Sequence, residues 1–255
     1  MILRTHGLTR EFGGLVAVDD VDFSLGDGEL CSLIGPNGAG KTTFFNLLTG
    51  TLAPTRGTVE LNVDDEWVDL TGRPPHETAT MGLHRSYQIT NVFPTSTVRE
   101  NVRIAAQAHG TDSHKLWRSV QSFDRYYEEA DAILDRVGLS GVAAETAQSL
   151  SHGEKRQLEI AIALAGDPDV LLLDEPNAGV SSASIDIVVD LIEDVAQDHS
   201  VLLVEHNMDI VMNVSDRIVV LNQGGVIADG PPEEIRDNER VQEAYLGGYE
   251  RGEAA

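Results

Sequence analysis

The stretch Gly35-Pro36-Asn37-Gly38-Ala39-Gly40-Lys41-Thr42 limits what this chain can fold into more than any other feature. It fits the pattern G-x-x-x-x-G-K-[ST], and its flanks suit that pattern. The apolar run Leu30–Ile34 reads as a buried strand ahead of it, and Thr42–Leu48 opens a helix behind it. Glycines let such a loop curl until backbone N–H groups point inward, and the helix start adds partial positive charge. The result is a phosphate cradle. Asn37, Gly38, Ala39 and Gly40 are expected to line it, with Lys41 reaching the β- and γ-phosphates of a nucleotide. The Thr42 hydroxyl is expected to bind Mg²⁺. A chance glycine-rich turn would lack both the strand and the helix.

The rest of the pattern is compatible with that nucleus. Val170–Leu173 and Val201–Val204 read as further buried parallel strands. Arg217–Leu221 and Val226–Ala228 flank Gly224-Gly225 as an antiparallel hairpin. Ile2–Leu8 and Val16–Leu25 are extended candidates, broken by Gly13-Gly14 and by Gly26-Asp27-Gly28. Ile185, Val188, Val189, Ile192 and Val195 recur at helical spacing, with Ser181, Ser182 and Ser184 offering N-caps. Tyr126, Tyr127, Ala130, Ile133, Leu134 and Val137 mark another amphipathic helix, ended by Gly138. Residues 91–165 read as mainly helical. The prediction is a single α/β domain over 1–248, with a helical subdomain inserted at about 91–165 and antiparallel strands alongside. Gly110 to Phe123 is the least patterned stretch. The chain is expected to fray from Gly247, with 249–255 as a flexible tail.

Leu171-Leu172-Leu173-Asp174-Glu175 supplies the partner of the cradle. An apolar strand ending in aspartate puts a carboxylate at the sheet edge, where Asp174 would hold Mg²⁺ through water. Glu175 would polarise the attacking water as general base. Alone, two acids after a strand are an ordinary strand-to-turn boundary. With the phosphate loop they indicate an Mg²⁺-dependent nucleotide triphosphatase.

Charge narrows the partners. Forty-two acidic residues against eighteen basic give −24, and only Lys41, Lys115 and Lys155 are lysines. That field repels nucleic acid and anionic lipid, so no nucleic-acid partner is expected. The acid is spread along the chain rather than gathered in a tail. It is compatible with a merely acidic cytosolic protein, but scarce lysine alongside it favours adaptation to a salty (halophilic) cytoplasm, where screening acts over a few ångströms. No apolar run approaches the length of a membrane span, and Met1-Ile2-Leu3-Arg4 lacks the apolar stretch of a signal peptide. One cysteine, Cys31, excludes an intrachain disulfide and reads as core packing. An intracellular location is expected.

Leu150-Ser151-His152-Gly153-Glu154, upstream of the Asp174 strand, resembles the LSGGQ signature of the ABC ATPases. By itself it is a helix cap; its place in this order makes it a signature. The resemblance implies a P-loop core of ABC type and a signature (Ser151, His152, Gly153, Glu154) that serves the nucleotide of a second ATPase subunit. It implies further that Gln88 links Mg²⁺ and water to the transporter interface, and that His206 contacts the γ-phosphate. Phe12 is similar to the aromatic that stacks on adenine, with Val18 close by, and Thr43 would touch the α-phosphate. Glu11 to Asp19, Val92 to Val102, Glu205-His206-Asn207-Met208, Ser215 to Leu221 and Glu243 to Gly247 resemble branched-chain amino acid importer ATPases most closely. Urea importer and lipopolysaccharide exporter ATPases are near relatives.

That family implies ATP and Mg²⁺ as ligands, and integral-membrane permease subunits with a homodimeric or sibling ATPase as partners. It also implies an indirect partner, a solute-binding protein, and a peripheral place on the inner face of the cell membrane. Departures are plain. Asn177-Ala178-Gly179-Val180-Ser181 lacks the serine and aspartate of the commoner S-A-L-D. Ile162 stands where many relatives carry arginine, and Asn207 replaces a common aspartate. Rival readings are a soluble ABC ATPase in cluster assembly or DNA repair, and a module that binds ATP without turnover. The intact Glu175 opposes the second, and the lack of tandem cassettes or basic surfaces opposes a nucleic-acid role.

Overall fold

The computed structural model describes residues 1–86, 92–109, 124–180 and 182–250. Strands β1 (Leu3–Phe12), β2 (Leu15–Leu25), β4 (Arg56–Val63) and β5 (Glu66–Asp69) form an antiparallel sheet in the order β2-β1-β4-β5. Strand β3 (Leu30–Ile34) belongs to a second sheet with β6 (Leu83–Ser86), β7 (Val170–Asp174), β8 (Ser200–Val204), β9 (Arg217–Asn222) and β10 (Gly225–Gly230). Its order is β10-β9-β3-β8-β7-β6, parallel throughout except for the β9–β10 hairpin.

Both faces of the central strands are dry, which is why they read as unbroken apolar runs. Side chains alternate between two cores. Leu171, Leu173, Val201 and Leu203 face one, formed with α3 (Val98–His109), α4 (Asp124–Arg136), α5 (His152–Leu164) and α6 (Ser182–Val195). Val170, Leu172, Leu202 and Val204 face the other, with Cys31, Leu33 and the antiparallel sheet closing over α1 (Lys41–Leu48). Cys31 is fully buried there, and burial pushes its thiol up to about 12, so it is packing rather than chemistry. Between β6 and β7 the regular elements among the described residues are helices.

Strands β4, β5 and β6 and the short helix α2 (Pro75–Thr80) were not apparent in the sequence. In β4 only Val59 and Leu61 are buried, and β6 carries His84 and Arg85 in its middle, so neither shows a run of apolar residues. The C-terminus also differs from expectation. After α7 (Met208–Val214) and α8 (Pro232–Arg236), α9 runs from Glu239 to Glu250, past Gly247 where fraying was expected. Asn238 caps its first turn, its side chain accepting from Arg240 N at 3.0 Å, and Val241 and Tyr245 pack on Ile34, Val211, Ile218 and Val220. Packing of that face carries the helix onward. Gln88, Ser181 and the stretch from Gly110 to Phe123 lie outside the described residues. Among the described residues no helix is long and apolar enough to cross a membrane.

Candidate active site

The cradle forms where β3 hands over to α1. Gly35 adopts φ 152°, and a Cβ there would stand 2.1 Å from Leu221 O in β9. Gly40 closes the loop at φ 108°, and its Cβ would meet Ala17 O at 2.4 Å. Only glycine allows either approach. The loop is thus wedged between the hairpin strand and β2, and α1 starts at Lys41 with its first N–H groups facing the loop.

Lys41 is 7% exposed. Its ammonium curls back on the loop, donating to Gly35 O at 2.6 Å and Pro36 O at 3.2 Å. Burial lowers its pKa, opposed by the nearby carboxylates of Glu175 and Asp174. A pocket of about 230 Å³ opens over it, lined by the loop, Thr42, Thr43, Ala17, Glu175 and His206. Asn37, Gly38, Ala39 and Gly40 all line this pocket. It therefore gathers most of the residues the sequence proposed.

The acids come from strand ends. Asp174 closes β7 and is buried, its Oδ2 accepting from Arg85 Nη2 at 2.6 Å. Arg85 also donates to Asn46 Oδ1 of α1 at 2.6 Å. Glu175 turns the chain at φ 49°, an unusual value for a residue with a side chain, while its N–H still bonds Val204 O at 2.8 Å. That kink aims its carboxylate across the strand ends, where Oε1 meets His206 Nε2 at 2.5 Å. His206 follows β8 by two residues, as the sequence required. A carboxylate and an imidazole paired over a phosphate cradle can take and hold a proton.

Two residues expected at this nucleotide, Val18 and Phe12, lie outside the pocket lining. Val18 has no exposed surface and belongs to the core, so what β2 offers the pocket is Ala17. Alternation puts the two on opposite faces of the strand, which the sequence reading overlooked. Phe12 stands outside the pocket lining at the end of β1, 41% exposed, with the Arg10 guanidinium 4.6 Å over its ring. Ser151, expected to act on a second subunit's nucleotide, is not among the residues lining this chain's own pocket and caps α5. Its Oγ accepts from Glu154 N at 3.3 Å while Glu154 Oε2 accepts from Ser151 N at 2.8 Å, a complete capping box. Ser151 and His152 are exposed. Arg85, Asn46 and Glu205 were missed. For Arg85 the available signal was a charge within a strand, and for Glu205 a charge directly after an apolar one; Asn46 in α1 had none.

A curled glycine loop between strand and helix, an acid pair ending the neighbouring strand and a histidine ending the next define a phosphate-loop nucleotide triphosphatase. A family model described as ABC transporter matches residues 18–178, and one described as branched-chain amino acid ATP-binding cassette transporter matches residues 226–251. The high-affinity branched-chain amino acid transport ATP-binding protein BraF of Pseudomonas aeruginosa is 41% identical over 253 residues, covering 96% of this chain and 98% of that protein. LivG of Escherichia coli, of the same description, is 42% identical with the same coverage. The crystal structure of the ADP conformation of MJ1267, an ATP-binding cassette of an ABC transporter, is similar with a TM-score of 0.81. It is 30% identical and covers 96% of this chain and 98% of that one. The chain belongs to the ABC transporter ATP-binding family, within its branched-chain amino acid subgroup. Its activity is ATP hydrolysis.

Proposed function

We propose that this chain energises a membrane importer of branched-chain amino acids. It would work as one of two ATPase subunits held against permease subunits on the inner face of the membrane, with a solute-binding protein delivering substrate. The observation that carries this reading is similarity to BraF and LivG along 96% of the chain, together with the match at 226–251. That segment includes Val241 and Tyr245, which pack beneath the phosphate loop against Ile34.

Within the site, residues 37–43 bind the phosphates of ATP, with Lys41 on the β- and γ-phosphates and Thr43 on the α-phosphate. Phe12 stacks on adenine. Mg²⁺ fits the donors present. This ion binds through one or two carboxylates plus substrate phosphates, and the site offers one buried carboxylate with the Thr42 hydroxyl at the helix start. Asp174 gives Oδ2 to Arg85, and its Oδ1 accepts no hydrogen bond among the described residues. Thr42, Asp174 and Gln88 would hold the ion, which neutralises phosphate charge when bound. Glu175 takes the proton of the water whose oxygen attacks the γ-phosphorus, and ADP leaves with the bonding electron pair. His206 orients Glu175 and contacts the γ-phosphate; Gln88 orients the water.

Ser151, His152, Gly153 and Glu154 would act on the nucleotide of the partner ATPase. Their support is the exposure of Ser151 and His152 at a helix start outside the lining of this chain's own pocket, where N–H groups favour phosphate. Reconstitution of the chain with its permease and binding protein in vesicles tests the whole reading. Uptake of leucine, isoleucine and valine driven by internal ATP is expected, and Glu175→Gln should stop uptake while ATP still binds. Uptake of urea alone would overturn the solute, and failure to co-purify with any polytopic membrane protein would overturn the transport role.

A further inference from the structure

We infer that Glu205 is a positioning residue for hydrolysis, a single buried carboxylate that ties together the two loops bearing Glu175 and His206. The inference rests on the roles just proposed for those two residues. Glu205 is the first residue after β8 and is 5% exposed. Its Oε1 accepts from Asn177 N at 3.0 Å, and its Oε2 accepts from His206 N at 3.0 Å. One oxygen therefore holds the chain two residues past Glu175, and the other holds the backbone of the histidine itself.

A buried carboxylate is costly unless its charge is compensated. Among the described residues Glu205 has no cationic side chain in ion-pair contact, and its hydrogen-bond partners there are these two N–H groups. An alanine or leucine there would avoid burying a charge but would leave both N–H groups without an acceptor, so what the acid contributes is its hold on those two groups. The loop it holds needs holding. Glu175 sits at φ 49°, in a region that costs a non-glycine residue free energy and persists only where the surroundings over-determine it. The turn is closed by Ala178 N donating to Glu175 O at 3.0 Å, and Asn177 within it donates to Glu205. Beyond the strand pairing in which Glu175 N meets Val204 O, this carboxylate links the backbones of the two loops. Charge-assisted bonds from backbone N–H groups are the stronger kind, and they fix position without occupying the reactive groups.

The 2.5 Å approach of His206 to Glu175 is therefore set from behind, by a residue that does not line the pocket. Displacements of about 1 Å in such a constellation cost on the order of 100-fold in rate. Glutamine is a poor replacement in spite of its shape, because its amide would turn a donor toward one of the two N–H groups.

The test uses the transporter assembled with its permease, comparing wild type with E205A, E205Q and E205D. Turnover is expected to fall about 30-fold in E205A and E205Q, with affinity for a fluorescent ATP analogue within about twofold of wild type. E205A should slow the H206A background by far less than about 30-fold, since Glu205 acts through the pairing of the two loops. Additive losses, a parallel loss of nucleotide affinity, or wild-type turnover in E205A would overturn the inference. Should E205A and E205Q fail to fold, E205D keeps the charge but lacks the reach for both loops, and wild-type turnover there would be equally fatal. E175Q and H206A run alongside. If they too turn over normally the site assignment fails, whereas if they alone are slow only the role of Glu205 fails.

Discussion

His206 Nε2 and Glu175 Oε1 stand 2.5 Å apart although they arrive from the ends of different strands, β8 and β7. With the roles proposed above, both residues should be costly to substitute. Loss of a positioned general base costs about 10²- to 10⁴-fold in turnover. Glu175→Gln is expected to lose about that much in phosphate release, and His206→Ala a comparable part. Because they act as a unit, the double variant should be little slower than Glu175→Gln. Fully multiplied losses would show that the two work independently.

Lys41 is buried with its ammonium on Gly35 O and Pro36 O, so the site is prepared for an anion before one arrives. A nucleotide at about 100 times its Kd stabilises a protein by roughly 2.7 kcal/mol. Wild type should therefore melt several degrees higher with ATP than without. Lys41→Ala should lose that shift entirely in differential scanning calorimetry. An undiminished shift in the variant would mean that nucleotide binds somewhere else.

The parts of this molecule that were legible in its sequence are those where one local rule sufficed. Leu171 to Leu173 and Val201 to Val204 are apolar because both faces of their sheet are buried, so strand type and neighbourhood could be read together. The cradle was legible because Gly35 and Gly40 answer to a local backbone demand. Pairings across the fold were not. Arg85 and Asp174 are 89 residues apart in sequence, and Asn177 and Glu205 are 28 apart, so no periodicity connects them. Val18 was misplaced for a similar reason. Its proximity to the loop was evident, but whether its side chain or that of Ala17 faced the pocket depended on the register of β2 against β1.

Ser151 has a structural role that can be tested apart from the one proposed toward a second subunit's nucleotide. As the N-cap of α5 it satisfies Glu154 N, and Ser151→Ala should cost about 1 kcal/mol of stability by urea unfolding. Glu154 gives that cap a pH signature. The hydroxyl and the backbone N–H of Ser151 both hold its carboxyl below the ordinary value of 4.5. A depressed folded pKa means that the unfolded chain binds more protons between the two values, so stability rises with pH there. The contribution is complete above about pH 4.5 and is lost as pH falls through the lower, folded value. Wild type should accordingly outmelt Glu154→Gln at pH 6 by a margin that narrows on acidification. A constant margin would remove the carboxylate from the explanation.

The net charge of −24 has a local expression that salt should reveal. Burial raises the pKa of Asp169, and the charges of Asp167, Asp64 and Asp27 around it raise it further. Asp64 and Asp167 both sit at positive φ, and both act on Asp169. Like charges at such spacing oppose folding in dilute buffer, and the Debye length falls from about 10 Å at 0.1 M salt to about 3 Å at 1 M. If the acid excess is an adaptation to a salty interior, the melting temperature should climb steadily from 0.1 to 2 M KCl. Asp167→Asn should gain stability at low salt and show a shallower climb, because it removes one of the repelling charges. KCl also strengthens burial of apolar surface weakly, so the comparison between wild type and Asp167→Asn isolates the electrostatic part. Equal slopes would place the salt response elsewhere, and a wild type that unfolds in molar KCl would end the adaptation argument.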